Sequence, residues 1–436
     1  MLSLLKSLLS RSTSNTRIQA QQLLRDNSED DAYTVPTRVL YPFQWNWDSC
    51  FTSLGWVTFD EDRAWAEIAS LLKGQCRSGK IPHIIFHKDS ESYFPGPDIW
   101  QYDNPEMKTS GISQPPVLAT TVRMTYERCK NKEQALSFIN SIMPKIFAYH
   151  RWWHERRDPH NTGLVATYHP WETGRDNSVE WDEPIKAVPL DDLQPYVRQD
   201  LATINPAYRP TNEDYDYYVA LLQLFKTHKY DQIKLYEISP FKVADIGINS
   251  ILARANSDLL YMMTLCDSSE EDRQTVLNWL DMQAKAFEGF WNSDRGVYQS
   301  INLITGEKLD FVTSGSFLSL WSGLIPFESA SIMASTLENM CHATKVLVPS
   351  LSADDAKYDR YRYWRGPVWA IINFMIYDGL KIYDQKLLAD QIFNTTRTAI
   401  KTYGFKEYYD PVSGEGLGGD NFSWTAAMWL YWLDKK

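Results

Sequence analysis

Apolar residues recur along this chain at helical spacing. Asp60 stands before a segment whose apolar side is Ala64, Ile68, Leu71 and Leu72, with Gly74, Gly79 and Pro82 beyond it. That order predicts a capped amphipathic helix and its stop. Ser269 predicts a second helix, with Glu271 and Asp272 in its first turn and Val276, Leu280, Ala284 and Phe287 on one side. Further helical stretches are Ala135–Arg156, Tyr215–Thr227, Ala244–Leu265, Ser329–Cys341, Gly366–Asp378, Lys386–Thr402 and Ser423–Leu433. Alternating, strand-like runs are few and short. Three times an Asp near a turn and a glycine follow a helix: Asp158 with Gly163, Asp294 with Gly296, and Asp410 with Gly414 and Gly416.

Roughly a dozen helices of ordinary length would use up the chain. Helices joined by small hairpins predict an all-α fold, the (α/α)6 toroid or six-hairpin barrel, with short β-hairpins in its loops. No shift in composition marks a second domain, so residues 1–436 are expected to form one domain, with 1–30 as a peripheral N-terminal helix. A helical solenoid is the competing architecture, and periodicity does not separate the two.

The helical pattern breaks in several acid-and-aromatic segments. The densest is His169-Pro170-Trp171-Glu172-Thr173-Gly174-Arg175-Asp176-Asn177-Ser178-Val179-Glu180-Trp181-Asp182, with four carboxylates and two tryptophans in fourteen residues. Carboxylates accept hydrogen bonds from hydroxyls or move protons, while indole faces stack on C–H surfaces. A sugar ring offers both, which makes Asp176 a candidate proton donor in glycoside cleavage. The plainer reading is an acidic surface loop with its tryptophans in the core. Others are Tyr41–Asp48, Tyr93–Pro97, Ser110–Pro116, Tyr208–Tyr215, Tyr361–Trp369 and Gly404–Pro411. In a toroid alternate loops open at the same end, so several could share one mouth.

Composition narrows the class. The 44% hydrophobic and 23% charged fractions are those of a globular protein, and 17 Trp with 25 Tyr exceed ordinary needs. A net charge of −11 without a basic block argues against a nucleic-acid partner. Five cysteines at unrelated spacings suggest reduced thiols and a cytoplasmic location. No apolar run approaches the roughly 20 residues of a membrane span. The basic, serine-rich Met1–Arg11 reads as a first helix, with an organellar address as the minor alternative.

Glycoside cleavage needs one protonated carboxyl to expel the leaving oxygen and one ionised carboxylate to activate water or attack carbon. Asp176 and Glu407 stand far apart in sequence, as expected if two loops supply the pair. Other chemistries find less support. His150 and His154 have the spacing of two ligands on one helix face, but no third ligand completes a zinc site, and no metal or cofactor is expected. Gly414–Gly419 is followed by Asp420-Asn421, so it is not a phosphate loop.

Taken in order, the motifs resemble glycoside hydrolase family 63. Within it they look most like the compact bacterial and plant members that hydrolyse mannosylglycerate and glucosylglycerate. The likeness runs from about Leu40 to Leu433. Its markers are Tyr41-Pro42…Trp45-Asn46-Trp47-Asp48, Ile81-Pro82-His83-Ile84, Tyr93-Phe94-Pro95-Gly96-Pro97, Ser110-Gly111-Ile112-Ser113-Gln114-Pro115-Pro116 and His169-Pro170-Trp171-Glu172…Asp176-Asn177-Ser178. Arg209-Pro210…Tyr215, Tyr363-Trp364-Arg365-Gly366-Pro367-Val368-Trp369 and Glu407-Tyr408-Tyr409 complete the set. The resemblance implies an inverting (α/α)6 hydrolase with Asp176 as general acid and Glu407 as general base. It implies that Trp45, Trp47, Asp48, Trp171, Trp364 and Trp369 lie at the substrate, around the sugar. Tyr41, Gln114, Arg209, Tyr215 and Tyr363 would hold the glycerate. An anionic substrate in an acidic protein needs such a cation as Arg209.

Two departures stand out. Arg175 directly precedes the presumed acid and could lower its pKa unless it points away. Asn421-Phe422 replaces an expected amide pair before Ser423-Trp424-Thr425. The partner implied is a small sugar substrate, with no membrane and self-association left open. An α-glucosidase acting on a disaccharide or oligosaccharide is the alternative, and a catalytically inactive sugar-binding ring a third reading.

Overall fold

The computed structural model describes residues 15–89, 93–199 and 205–434. Met1–Arg11 lies outside them, and helix runs over 15–26. Six helices make an inner ring: Asn46–Trp56, Leu118–Arg128, Ile246–Leu265, Ser319–Ser322, Ala370–Ile382 and Ser423–Met428. Each packs on the next, and the last packs back on the first. Closure distinguishes the toroid from a solenoid. Outer helices Glu61–Lys73, Lys132–Arg157, Glu270–Phe287 and Lys386–Tyr403 lie against the ring helices that precede them.

Besides three ring helices that were read as well, Ile246–Leu265, Ala370–Ile382 and Ser423–Met428, the outer helices were legible because one face meets the ring and the other meets water. Their caps hold as read: Asp60 accepts from the Arg63 N–H at 3.0 Å and Ser269 from that of Asp272 at 3.0 Å. A capping box between Thr211 and Asp214 moves the start of the Tyr215–Thr227 segment up to Asn212. The inner ring is different. All eleven residues of Asn46–Trp56 are buried, so no polar stripe reveals the helix, and Trp47 and Asp48 belong to its first turn rather than to a loop. Gly366–Trp369 is loop, because the Gly366 N–H bonds Ser350 Oγ at 2.8 Å and Val368 pairs with Tyr409. Helix begins there only at Ala370. The last segment is α-helical to Met428 and continues as a wider π turn over Trp429–Leu433.

Among the described residues β structure is limited to five two-stranded antiparallel pairs and isolated bridges, the pairs including Gln44–Trp45 with Ile84–Ile85 and Tyr408–Tyr409 with Gly416–Leu417. The three repeated turns all use a left-handed glycine, with φ of +83° at Gly163, +64° at Gly296 and +83° at Gly414. Asp158 and Asp410 anchor theirs by accepting backbone N–H groups. In the middle copy the anchor is Asn292, not Asp294. A second apolar cluster, with Phe43, Trp45, Trp100, Trp171 and Trp181, lies under the loops at one end. No helix among the described residues is long and apolar enough to cross a membrane.

Candidate active site

The N-terminal ends of the inner helices converge beneath that loop layer. Trp47 and Asp48 come from the first turn of Asn46–Trp56, Trp369 is the cap of Ala370–Ile382, and Phe422 and Trp424 open Ser423–Met428. Gln114 precedes the helix that starts at Leu118. Together with loops 39–45, 171–176, 209–215, 363–364 and 407 they enclose one cavity. Asp176, Glu407, Tyr41, Trp45, Trp47, Asp48, Gln114, Trp171, Arg209, Tyr215, Tyr363, Trp364 and Trp369 all line it.

Aromatic rings build the walls. Trp364 and Trp369 stack in parallel at 3.9 Å, Trp47 meets Trp424 edge-on at 5.6 Å, and Trp171 meets Tyr215 edge-on at 6.0 Å. Gly174, at φ +69°, lets the loop pass Trp47, where an added Cβ would come within 2.7 Å of the indole.

The four carboxylates of the 169–182 segment are sorted by their partners. Glu172 is paired with buried Arg157, and Glu180 with buried Arg175. Asp182 is held by Arg365 at 2.5 Å and Lys357 at 2.8 Å. Asp176 alone faces the cavity, and its carboxyl is hydrogen-bonded by its own backbone N–H and by no other side chain among the described residues. Its backbone carbonyl accepts from Tyr218 Oη at 2.8 Å. Arg175 points away from the cavity into Glu180 and Asp245, and so does not depress its neighbour's pKa. Burial pushes Asp176 up to about 7; the Arg209 cation opposes this and the Glu407 charge adds to it.

Glu407 sits opposite in kind. The Gly419 N–H donates to its Oε2 at 2.8 Å, and the Tyr41 and Tyr363 hydroxyls donate to Oε1 at 3.2 Å each. Burial raises its pKa, while Arg209 and these three donors work against the rise. Both phenols are themselves held well above their usual range, chiefly by burial, so they remain donors. Asp48 is also raised well above the carboxylate range by burial, against the pull of its own helix-end N–H. Arg209 donates to Tyr41 Oη at 2.9 Å and lies 4.3 Å above the Tyr363 ring. Burial disfavours that cation, but Tyr41, Tyr363, Tyr215 and Glu407 keep it charged.

The cavity also contains residues not singled out as site residues from the sequence: Pro36, Val39, Leu40, His83, Tyr93, Phe94, Pro95, Gln199, Phe422 and Trp424. His83 is held neutral, burial lowering it to about 3, and lies parallel to Trp171 at 6.4 Å. The motif Ile81-Pro82-His83-Ile84 was the available signal. Phe422, where an amide was expected, packs its ring against Trp424 at 4.6 Å and Tyr41 at 6.0 Å, so that wall is apolar. His150 and His154 lie elsewhere and share Asn256 between them, at 2.7 and 3.0 Å.

A ring of paired helices with two buried, differently solvated carboxyls in an aromatic cavity is the architecture of a glycoside hydrolase. Residues 41–425 match the model of the mannosylglycerate hydrolase MGH1-like glycoside hydrolase domain, and the chain belongs to that family, within glycoside hydrolase family 63. It is 43% identical to the mannosylglycerate hydrolase of Thermus thermophilus, over 95% of this chain and 100% of that one. It is likewise 43% identical to mannosylglycerate hydrolase MGH1 of Selaginella moellendorffii, over 95% of this chain and 85% of that one. The crystal structure of a Thermus thermophilus family 63 mannosylglycerate hydrolase with Tris and D-glycerate superposes with a TM-score of 0.92 at 42% identity. That match covers 96% of this chain and 99% of that one.

Proposed function

We propose that this protein hydrolyses an α-glycosylglycerate, mannosylglycerate first and glucosylglycerate as the alternative hexose, with inversion at the anomeric carbon. The observation that carries the reading is the contrast of Asp176 and Glu407 across a cavity that also contains Arg209. A carboxyl with a pKa near 7 and no salt bridge among the described residues keeps a proton to give. A carboxylate served by an N–H and two phenols is stabilised as the ion and can take one. Asp176 protonates the glycosidic oxygen as the bond to C1 breaks. Glu407 removes a proton from a water that attacks C1 from the other face, and the hexose leaves as the opposite anomer. Arg209, Tyr41, Tyr215, Tyr363 and Gln114 take the glycerate carboxylate and hydroxyls. Trp45, Trp47, Asp48, Trp171, Trp364 and Trp369 enclose the sugar. The reading extends to the cytoplasm, where five unpaired cysteines persist as thiols.

The test is a substrate panel of mannosylglycerate, glucosylglycerate and trehalose, with proton NMR following the first-formed anomer. Release of β-hexose and glycerate is the expected result. Turnover of trehalose without turnover of either glycosylglycerate would replace the reading with the α-glucosidase one.

A further inference from the structure

Arg175 is the residue that the site chemistry leaves unused, and it is among the most confined side chains in the molecule. Its guanidinium is buried, bonded to Glu180, to Asp245 at 2.5 Å and to Thr313 Oγ1 at 3.4 Å. Asp245 caps the ring helix Ile246–Leu265, and Thr313 caps the short helix Ser314–Phe317. Glu180 is fixed in turn by hydroxyls of Ser178 at 2.9 Å, Thr313 at 3.0 Å and Ser300 at 2.8 Å. The guanidinium lies directly on Gly315, where any Cβ would overlap its central carbon.

The backbone on either side is tied as well. The Arg175 carbonyl accepts from Trp181 Nε1 at 2.8 Å. The Asn177 carbonyl accepts from Arg365 Nε at 3.0 Å, and Asn177 Oδ1 accepts from the Trp364 N–H at 3.0 Å. Between these anchors the Asp176 carboxyl is hydrogen-bonded by its own backbone N–H and, among the described residues, by no other side chain. The oxygen that carries the proton has to face the substrate, so its direction is imposed largely through the backbone.

We propose that Arg175 is a positioning residue for the proton donor: locked to Glu180 and Asp245 on the face of Gly315, it fixes the direction in which Asp176 enters the cavity. The proposal rests on Asp176 being the general acid. It gives a cation a place beside a group that must keep its proton, because the charge is turned into the wall and neutralised there.

The experiment compares two substrates that differ in their need for that proton. Glycerate leaves as an alkoxide unless protonated, whereas fluoride leaves a glycosyl fluoride unaided. Wild type, Asp176→Asn, Arg175→Lys and Gly315→Ala are assayed on the glycosylglycerate and on the α-glycosyl fluoride of the same hexose. Misplacing a catalytic group by about 1 Å can cost about 100-fold. Arg175→Lys and Gly315→Ala should therefore each lower kcat on the glycosylglycerate by about 10- to 100-fold with KM within about threefold, and lower fluoride hydrolysis by much less. Gly315→Ala removes no charged group and displaces the guanidinium only by overlap, so it reports even if Arg175→Lys fails to fold. Equal losses on both substrates in the Arg175 and Gly315 variants, or no loss in Gly315→Ala, overturn the positioning role. Equal losses in Asp176→Asn would instead overturn the acid assignment, so the two failures are distinguishable.

Discussion

The wall behind Asp176 and the cavity in front of it hold similar groups in different balance. Behind, Arg175 is matched by Glu180 and Asp245, and hydroxyls of Ser178, Ser300 and Thr313 occupy the oxygens of Glu180. In front, three carboxyls, Asp48, Asp176 and Glu407, line the cavity together with the Arg209 cation, and no other side chain among the described residues hydrogen-bonds the Asp176 carboxyl. The ring helix Ile246–Leu265 and the short helix Ser314–Phe317 start in the wall and other helices open on the cavity, so the helix ends offer no contrast. What differs is the pairing of charge, since in the wall too Arg175 Nε and Asp245 Oδ2 lack a hydrogen bond. A network of paired charges rigidifies, while unpaired groups keep a charge or a proton available for a substrate.

The largest effects should come from exchanging the acids of the two regions for amides. Asp176→Asn and Glu407→Gln should each lower kcat on a glycosylglycerate by about a thousandfold or more, with a thermal midpoint at neutral pH no lower than that of wild type. Glu180→Gln should do the reverse, taking from Arg175 one of the two carboxylates that hold it. Breaking one side of a buried ion pair costs about 3–5 kcal/mol, which calorimetry would read as a lower midpoint. If Glu407→Gln unfolded the protein while Glu180→Gln left its stability unchanged, the division into wall and cavity would be wrong.

A smaller effect sharpens the front half of the contrast. Arg209 is the cation assigned to the glycerate, so Arg209→Met should raise KM for glycosylglycerate by about 100-fold, the scale of a charge-assisted pair. The same change should raise KM for an uncharged aryl glycoside by less than about tenfold. Steady-state kinetics on both substrates decide it, and equal increases would remove glycerate from that end of the cavity.

How much of this was legible in the sequence depended on where each residue's partners lie. Outer helices announced themselves because their two faces differ, and the caps at Asp60 and Ser269 are local. Three ring helices, Ile246–Leu265, Ala370–Ile382 and Ser423–Met428, were read too, but Asn46–Trp56 was missed because burial on all sides erases the period. In the 169–182 segment the clustering of acids and indoles was visible. Which acid is left unpaired was not, because Arg157 and Arg365 approach from other parts of the chain and the direction of Arg175 is a tertiary fact. Asp176 and Glu407 were picked out by family resemblance, and spacing alone could not have paired residues so far apart. His83 and Phe422 were within quoted motifs, yet only the folded loops show that they reach the cavity.

The finest test of the contrast is the dependence of stability on pH. Asp176 has a pKa of about 7 in the folded protein against an ordinary value of 3.8, chiefly because burial disfavours the carboxylate. The folded state therefore holds this proton more tightly than the unfolded chain does, and the group makes folding less favourable as pH rises from about 4 to about 7. Above about 7 the whole penalty is present, and below about 4 it is absent. An amide at this position carries no charge at any of these pH values. Asp176→Asn should thus match wild type near pH 4 and exceed it by about 1–3 kcal/mol near pH 8, a gain in stability bought with the loss of turnover. Glu180→Gln, on the wall side, should be less stable than wild type near pH 8, where Arg175 has lost one of its two carboxylate partners. Thermal midpoints of the three proteins between pH 4 and 8 read both trends. If Asp176→Asn gained nothing at the alkaline end, the carboxylate would be ionised there without cost, and the protonated donor would lose its physical basis.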